Sequence, residues 1–153
     1  MQNPDLPSLI QEILRDTREM VLATCADSVP WTATLVFGHD ENLNLYWMSQ
    51  ENTRHSRELA KNPKVAATIN KPPTGENAKG LQIEGNAYKL ETAEEIGAAR
   101  EFFVKRGGDL PLPKTPQEAE PISPDSSWYV LKPTKIYVYY DPLFGYERKE
   151  FIP

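Results

Sequence analysis

The chain has 153 residues, with 17 Lys and Arg against 22 Asp and Glu, which gives a formal net charge of −5 at pH 7. Nucleic-acid proteins draw most of their non-specific affinity from clustered cations, so this acidic balance argues against that class. Hydrophobic residues make up 39% of the chain, which is enough for one packed core at this length. We therefore expect a single domain over residues 1–153.

Cysteine and histidine are both scarce. Cys25 is the chain's one cysteine, and His39 and His55 are its two histidines. This supply excludes an internal disulfide and is too small for a Cys/His metal site of standard ligand number, so no metal is expected. The N-terminal segment lacks the pattern of a signal peptide, and no apolar run approaches the ~20 residues of a membrane span. A cytoplasmic location is the expectation.

The first half of the chain changes from helical to strand-like periodicity. An apolar stripe predicts a short amphipathic helix over residues 8–17 that covers the core. Three strand patterns follow, MVLATCA (20–26), WTATLVFG (31–38) and LNLYWMS (43–49), and they are separated by turn residues. Strands joined by short turns favour an antiparallel meander.

The second half continues this alternation of strands and short helices. The predicted elements are a helix over 53–61, a strand over 64–70, a strand over 81–91 with a bulge at Gly85, a helix that starts at the Thr92–Glu95 capping box, and strands over 128–140 and 144–152. A long connector with five prolines occupies residues 107–125, and such a segment is either a functional cover or a solvated spacer. The count indicates an α+β, mainly β chain whose strand spacing suits a barrel.

The segment that follows the strand ending in YWMS is suited to binding an anion. Thr53, Arg54 and His55 lie at the start of the predicted helix, and Arg57 is one turn further on. Amide groups at a helix N-terminus carry partial positive charge, and a hydroxyl and a guanidinium add hydrogen bonds and charge around a phosphate. The alternative is an exposed and solvated first turn, since Glu58 dilutes the local positive potential.

No catalytic residue emerges from the sequence. The chain contains no G-x-S-x-G elbow, and the pattern around Cys25 is that of a thiol in an apolar strand. Tyr137 and Tyr139 lie opposite the aliphatic face of their strand, so we expect them to meet a ligand, a helix or another subunit. If the protein is an enzyme, a cofactor supplies the chemistry.

Several of these motifs follow one another in a familiar order. The strand pair MVLATC and PWTATLVFG, the strand ending in YWMS, the T-R-H helix start, the N-P-x-V step at 62–65 and the strand GLQIEGNAY resemble the pyridoxamine 5'-phosphate oxidase-like FMN-binding split barrels. The resemblance covers roughly residues 20–90. It implies a six- or seven-stranded antiparallel split β-barrel with short flanking helices. It also implies a homodimer with FMN at the subunit interface.

The resemblance assigns the cofactor-binding residues by position. They are Ala33, Thr34, Leu35 and Val36 on the second strand and Met48 and Ser49 on the third, with Thr53, Arg54 and His55 at the phosphate. For a homodimeric flavoprotein of this kind we also expect Gln82 and Tyr139 to contact the flavin across the dimer. The implied function is electron transfer between bound FMN and a small organic substrate.

The chain also departs from that family's pattern. Ala33 and Gly38 stand where the vitamin oxidases have cations, and the C-terminal GYERKEFIP lacks their Arg and His signature. We therefore do not expect pyridoxine-phosphate oxidase activity. Flavin, deazaflavin or haem binding without turnover, as in a sensor, remains the alternative.

Overall fold

The computed structural model describes residues 5–71, 77–106 and 124–153. The helices are α1 (Leu6–Asp16), α2 (Arg54–Lys61), α3 (Ala93–Lys105) and α4 (Asp141–Phe144). The strands are β1 (Glu19–Ala26), β2 (Val29–Val36), β3 (Gly38–His39), β4 (Leu45–Gln50), β5 (Lys64–Lys71), β6 (Lys79–Lys89), β7 (Ser126–Tyr140) and β8 (Lys149–Phe151). Most of the predicted connector, residues 107–123, lies outside the described residues.

The strands form one antiparallel sheet that curls into a split barrel. The strand order is β2-β1-β5-β6-β7-β4-β3, and β8 pairs with β7 off this path. Between the two ends of the path, β2 and β3, the chain contains only Phe37. The ends of the sheet are therefore adjacent along the chain, and the predicted fold class is confirmed.

The last pairing of the predicted three-strand meander forms only at its end, where Gly38 of the predicted strand 31–38 lies opposite Tyr46. β1 and β2 form a hairpin with Glu19 opposite Val36, but β4 pairs with β3 and β7 and not with β2. The reason is a break in the strand at Phe37 and Gly38. A Cβ on Gly38 would lie 2.6 Å from the Cα of Phe103, so only glycine lets α3 approach the chain at this bend.

Helix α1 covers the barrel core as the sequence predicts. Its apolar residues Leu9, Ile10, Ile13 and Leu14 are almost fully buried. Burial of each such side chain stabilises the fold by about 2 kcal/mol. The helix begins at Leu6, two residues before the predicted start, because the Asp5 carboxylate accepts a hydrogen bond from the Ser8 amide at 3.1 Å and caps the first turn.

Two local predictions in the second half of the chain are confirmed. The β6–β7 register shifts between Glu84 and Gly85, as expected for a bulge. The capping box forms at the start of α3, where Thr92 Oγ1 accepts from the Glu95 amide at 3.2 Å. Short-range turn and cap chemistry is therefore visible in this sequence.

The predicted strand over 144–152 is wrong in its first half. Residues 141–144 form the single helical turn α4, in which Pro142 occupies one of the first two positions, where proline is favoured. Gly145 follows with a φ of +58°. The chain therefore leaves the extended conformation, and only β8 pairs with β7.

Cys25 also differs from its predicted environment. It is only partly buried on β1, whereas Leu22 and Thr24 on the opposite face of the strand are fully buried.

None of the helices in the described part of the chain is long and apolar enough to cross a membrane.

Substitution of Gly38 tests the bend. We expect Gly38→Ala to lower the free energy of unfolding by about 1–3 kcal/mol, because the added methyl group meets the Phe103 backbone. Gly97→Ala is the matched control. No atom lies within 4 Å of a Cβ at this helical position, so alanine should stabilise α3 by up to about 1 kcal/mol. Urea denaturation of both variants measures the difference, and a Gly38→Ala variant as stable as the wild type would contradict the proposed constraint.

Candidate functional site

The first turn of α2 presents unsatisfied amide groups. Thr53 is the N-cap residue, but its side chain does not cap the helix. Its hydroxyl instead donates to Gln50 O at 2.9 Å and accepts from the Ser56 hydroxyl, whose oxygen lies 2.8 Å away. The amides of the first helical turn therefore lack a side-chain cap and are available to an anion.

Arg54 extends from this turn towards the barrel. Its Nε donates to Glu58 Oε1 at 2.8 Å, and its guanidinium lies 4.3 Å from the ring centroid of Trp31 on β2. Glu58 is buried, and its other oxygen accepts from Thr24 Oγ1 of β1 at 2.6 Å. The hydrogen bonds from Thr24 and Arg54 hold the pKa of the Glu58 carboxyl below its usual range, so the group remains charged and fixes Arg54.

His55 contacts β4, whereas Arg54 contacts β2. Its Nε2 lies 2.9 Å from Ser49 Oγ on β4 and 3.3 Å from Thr53 Oγ1. The residue is buried, and burial lowers the pKa of the imidazole from its ordinary value of 6.5. At neutral pH the ring is therefore an uncharged hydrogen-bonding group that connects α2 to β4.

A cavity of about 400 Å³ adjoins this turn, between α2 and the β1–β2 hairpin. Its charged lining consists of Arg54, Arg57, Lys61, Asp27 and Glu58. Cations outnumber carboxylates there, and Glu58 is already bonded to Arg54. Arg57 and Lys61 make no ion pair within the described residues. The site therefore has an excess of positive charge in an acidic protein.

The structure brings together one part of the predicted cofactor set. Thr53, Arg54, His55 and Ser49 form one cluster, and Met48 precedes Ser49 on β4. Arg54 adds contact with β2, the strand that carries Ala33, Thr34, Leu35 and Val36. The predicted residues thus lie on β2, on β4 and on the first turn of α2, and this turn contacts both strands.

Gln82 and Tyr139 lie away from this cluster within one chain. The sheet pairing places Thr34 opposite Val21, Val21 opposite Thr68, and Thr68 opposite Gln82. Three strand spacings separate Thr34 from Gln82, roughly 14 Å. Tyr139 pairs with Gly80, far along β7 from the part that pairs with β4.

Three residues that hold Arg54 in place were not predicted from the sequence to do so: Trp31, Thr24 and Glu58. Trp31 was part of a strand pattern with no assigned role, and Thr24 is 34 positions from Glu58. The Arg54–Glu58 pair was detectable, because residues four apart on a helix are neighbours. The separation of Thr24 and Glu58 leaves no local signal.

The fold defines a split-barrel protein, and the first turn of α2 contacts both β2 and β4. The family model described as pyridoxamine 5'-phosphate oxidase matches residues 6–140. The chain belongs to this family.

Two similar proteins come from Yersinia. The UPF0306 protein of Yersinia enterocolitica is 32% identical over 108 residues, covering 69% of this chain and 73% of that protein. The UPF0306 protein of Yersinia pseudotuberculosis is 33% identical over 118 residues, covering 73% and 80%.

Solved structures share the fold at lower identity. A haem-binding protein from Mycobacterium smegmatis matches with a TM-score of 0.78 and 18% identity, over 99% of this chain and 60% of its own length. A putative pyridoxamine 5'-phosphate oxidase from Listeria innocua matches with a TM-score of 0.67 and 22% identity, over 88% of this chain and 98% of that chain. A haem storage protein from Vibrio cholerae matches with a TM-score of 0.67 and 19% identity, over 97% and 95%.

His55, which is buried, and His39, which is partly buried, make stability depend on pH. Burial lowers the pKa of both His39 and His55 in the folded state, so the unfolded chain takes up protons first as the pH falls through about 6.5. The free energy of unfolding should therefore be fully maintained above this value and decline below it. We expect the decline between pH 7.5 and 5.5 to be smaller in His55→Gln and His39→Gln than in the wild type, as measured by urea denaturation. A wild-type stability that is flat over this window would contradict the buried, neutral state.

Proposed function

We propose that this protein is an FMN-binding flavoprotein that transfers electrons between the flavin and a small organic substrate. The observation that carries the proposal is the first turn of α2, which has no side-chain cap and adjoins a cavity with excess positive charge. Side chains of this turn contact both β2 and β4. An FMN phosphate fits this chemistry, because it accepts hydrogen bonds from amides and is attracted by guanidinium groups.

Each residue of the cluster has a separate role in this proposal. The first-turn amides donate to the phosphate, and the Thr53 hydroxyl exchanges its hydrogen bond to Gln50 O for one to the phosphate. Arg54 supplies charge from a position fixed by Glu58. His55 holds Ser49 through a hydrogen bond and so positions the end of β4. Ala33, Thr34, Leu35 and Val36 on β2 and Met48 on β4 lie along the flavin ring. The bound flavin would supply the redox chemistry, while these residues bind and orient it.

We also propose that the flavin lies between two copies of the chain. Strand β2 is an edge of the sheet, and its residues Val29 and Trp31 are 52% and 42% exposed. Exposed apolar edges are normally covered by another chain or element. A second copy would cover this edge and would supply Gln82 and Tyr139, which within one chain lie on the parts of β6 and β7 that do not pair with β4.

The test of the phosphate site is FMN binding by Arg54 variants. Loss of a hydrogen bond to a charged group costs about 1.5–3 kcal/mol, or roughly 10–100-fold in affinity. We expect Arg54→Ala to raise the FMN dissociation constant by this factor, measured by quenching of flavin fluorescence. Because Arg54→Ala leaves Glu58 buried without its cation, the double variant Arg54→Ala/Glu58→Gln separates phosphate binding from stability.

Lys105→Ala is the matched control for this experiment. Like Arg54, Lys105 forms an ion pair with a carboxylate four residues away on its own helix, and its Nζ lies 2.7 Å from Glu101 Oε1. This pair is on α3 and not on α2. Its removal should leave FMN affinity unchanged. Unchanged affinity in both Arg54 variants would overturn the site, and absence of FMN binding by the wild type at micromolar concentration would overturn the proposed cofactor.

Haem binding without turnover is the second candidate, because two proteins of the same fold are described as haem-binding and haem storage proteins. The chain has only His39 and His55 as imidazole ligands. A haem Soret band that is lost in one of the two His→Gln variants would favour this candidate. Retention of FMN together with reduction of the flavin by an organic hydride donor favours the flavoenzyme.

A further inference from the structure

Two cations of the cavity beside α2 are not used by the proposed FMN phosphate site. Arg57 and Lys61 are exposed, line this cavity and make no ion pair within the described residues. At the first turn of the helix, Arg54 and the amide groups already supply the donors and the charge for one phosphate. The other two cations are therefore available to a further anionic group.

Both of these cations lie on the same face of α2 as Arg54. An α-helix rises 1.5 Å per residue and has 3.6 residues per turn, so residues three, four and seven positions apart share a face. Arg57 is therefore about 4.5 Å and Lys61 about 10.5 Å further along the helix axis than Arg54. This wall of the cavity continues the positive charge of the first turn over two turns of the helix.

The cavity is also larger than one phosphate group. Its volume is about 400 Å³, and a water molecule takes roughly 30 Å³ in the liquid. On this scale a phosphate group with its four oxygens fills roughly a third of the cavity. A second phosphate group therefore has room in the same cavity.

The carboxylates of the lining compensate only part of this positive charge. Both oxygens of Glu58 are engaged, one by Arg54 at 2.8 Å and the other by Thr24 at 2.6 Å. The other carboxylate belongs to Asp27 in the two-residue turn between β1 and β2, where Asp27 and Ser28 have φ values of +53° and +62°. One carboxylate of the hairpin thus stands against the two unpaired cations of α2.

We propose that this cavity binds a diphosphate, with one phosphate group at the first turn of α2 and the other at Arg57 and Lys61. Guanidinium and ammonium groups bind phosphate oxygens through charge-assisted hydrogen bonds. A flavin that carries two linked phosphates, as in a flavin dinucleotide, therefore binds more tightly than FMN. The preference for a dinucleotide rests on the proposed function, whereas the diphosphate site stands without it.

The test compares inorganic pyrophosphate with inorganic phosphate, by isothermal titration calorimetry of the flavin-free protein at constant ionic strength. We expect pyrophosphate to bind at least about tenfold more tightly than phosphate. Arg57→Gln and Lys61→Gln should each weaken pyrophosphate binding about tenfold, but phosphate binding by less than about threefold, because each removes a charged hydrogen bond to the second group only. Equal affinity for the two anions, or pyrophosphate affinity unchanged in both variants, would overturn the proposal.

Two further variants separate a specific site from general attraction by positive charge. Lys64→Gln is the matched control, because Lys64 is an exposed cation that makes no ion pair within the described residues and lines a different cavity. Its removal should leave pyrophosphate affinity unchanged, and a loss as large as that of Lys61→Gln would contradict the site. Asp27→Asn removes the opposing charge and suits a turn with positive φ, so it should tighten pyrophosphate binding about threefold. Weaker binding by this variant would also contradict the site.

Titration with FAD and FMN distinguishes this site from the proposed cofactor. We expect FAD to bind at least about tenfold more tightly than FMN, and the Arg57 and Lys61 variants to lose affinity for FAD but not for FMN. A protein that prefers pyrophosphate but binds neither flavin has the diphosphate site and lacks the proposed cofactor. A protein that binds FMN and FAD equally, and phosphate as tightly as pyrophosphate, has the cofactor and lacks the diphosphate site.

Discussion

The buried carboxylate of Glu58 ties helix α2 to the barrel. It accepts hydrogen bonds from Thr24 on β1 at 2.6 Å and from Arg54 on its own helix at 2.8 Å. A charged group remains buried only when its hydrogen bonds are satisfied, and loss of one partner leaves an uncompensated charge. This requirement fixes the orientation of α2, and with it the position of Arg54 over Trp31.

The split in the barrel gives this helix its functional position. β2 is the last strand at one end of the sheet and β4 is next to the other end, yet only β3 and two short connecting segments separate them along the chain. The β1–β2 ladder ends at Val36, and after Phe37 the chain pairs with β4 at Gly38 and not with β1. The first turn of α2 contacts both β2 and β4, since Arg54 contacts Trp31 of β2 and His55 contacts Ser49 of β4. The change of pairing partner after Phe37 therefore shapes both the fold and the candidate site.

Features encoded by a few neighbouring residues could be predicted from this sequence, whereas long-range pairings could not. The bulge at Gly85 and the Thr92–Glu95 capping box depend on short segments, and both are confirmed. The partner of β4 is β7, about 80 positions further along the chain, and strand periodicity carries no information about such a pairing. The periodicity therefore indicated most of the strands but not the long pairing of β4 with β7.

The candidate site divides in the same way. The residue types of Thr53, Arg54 and His55 predict the helix start. For Glu58 the sequence predicts only a negative charge that weakens an anion site. In the structure it holds Arg54 in place. Its contact with Thr24 joins residues 34 positions apart and has no sequence pattern. The placement of the flavin along β2, and of Gln82 and Tyr139 across a dimer, stays a prediction that the family resemblance supplies.

Buried polar groups in this protein fall into two kinds, and only the first kind stabilises the fold. Asp40 is buried and accepts from the amides of Asn42 and Asn44, from the Asn44 side chain and from the Tyr46 hydroxyl, all at 2.8–2.9 Å. A group satisfied in this way stabilises the β3–β4 turn and needs no ligand. The Thr17 hydroxyl and the Arg18 Nε are buried without partners in the described chain. The indole Nε1 atoms of Trp47 and Trp128, deep in the core, are also without a partner there. All four atoms are enclosed by the protein, so each lowers the stability of the fold by the cost of a buried donor or acceptor that makes no hydrogen bond.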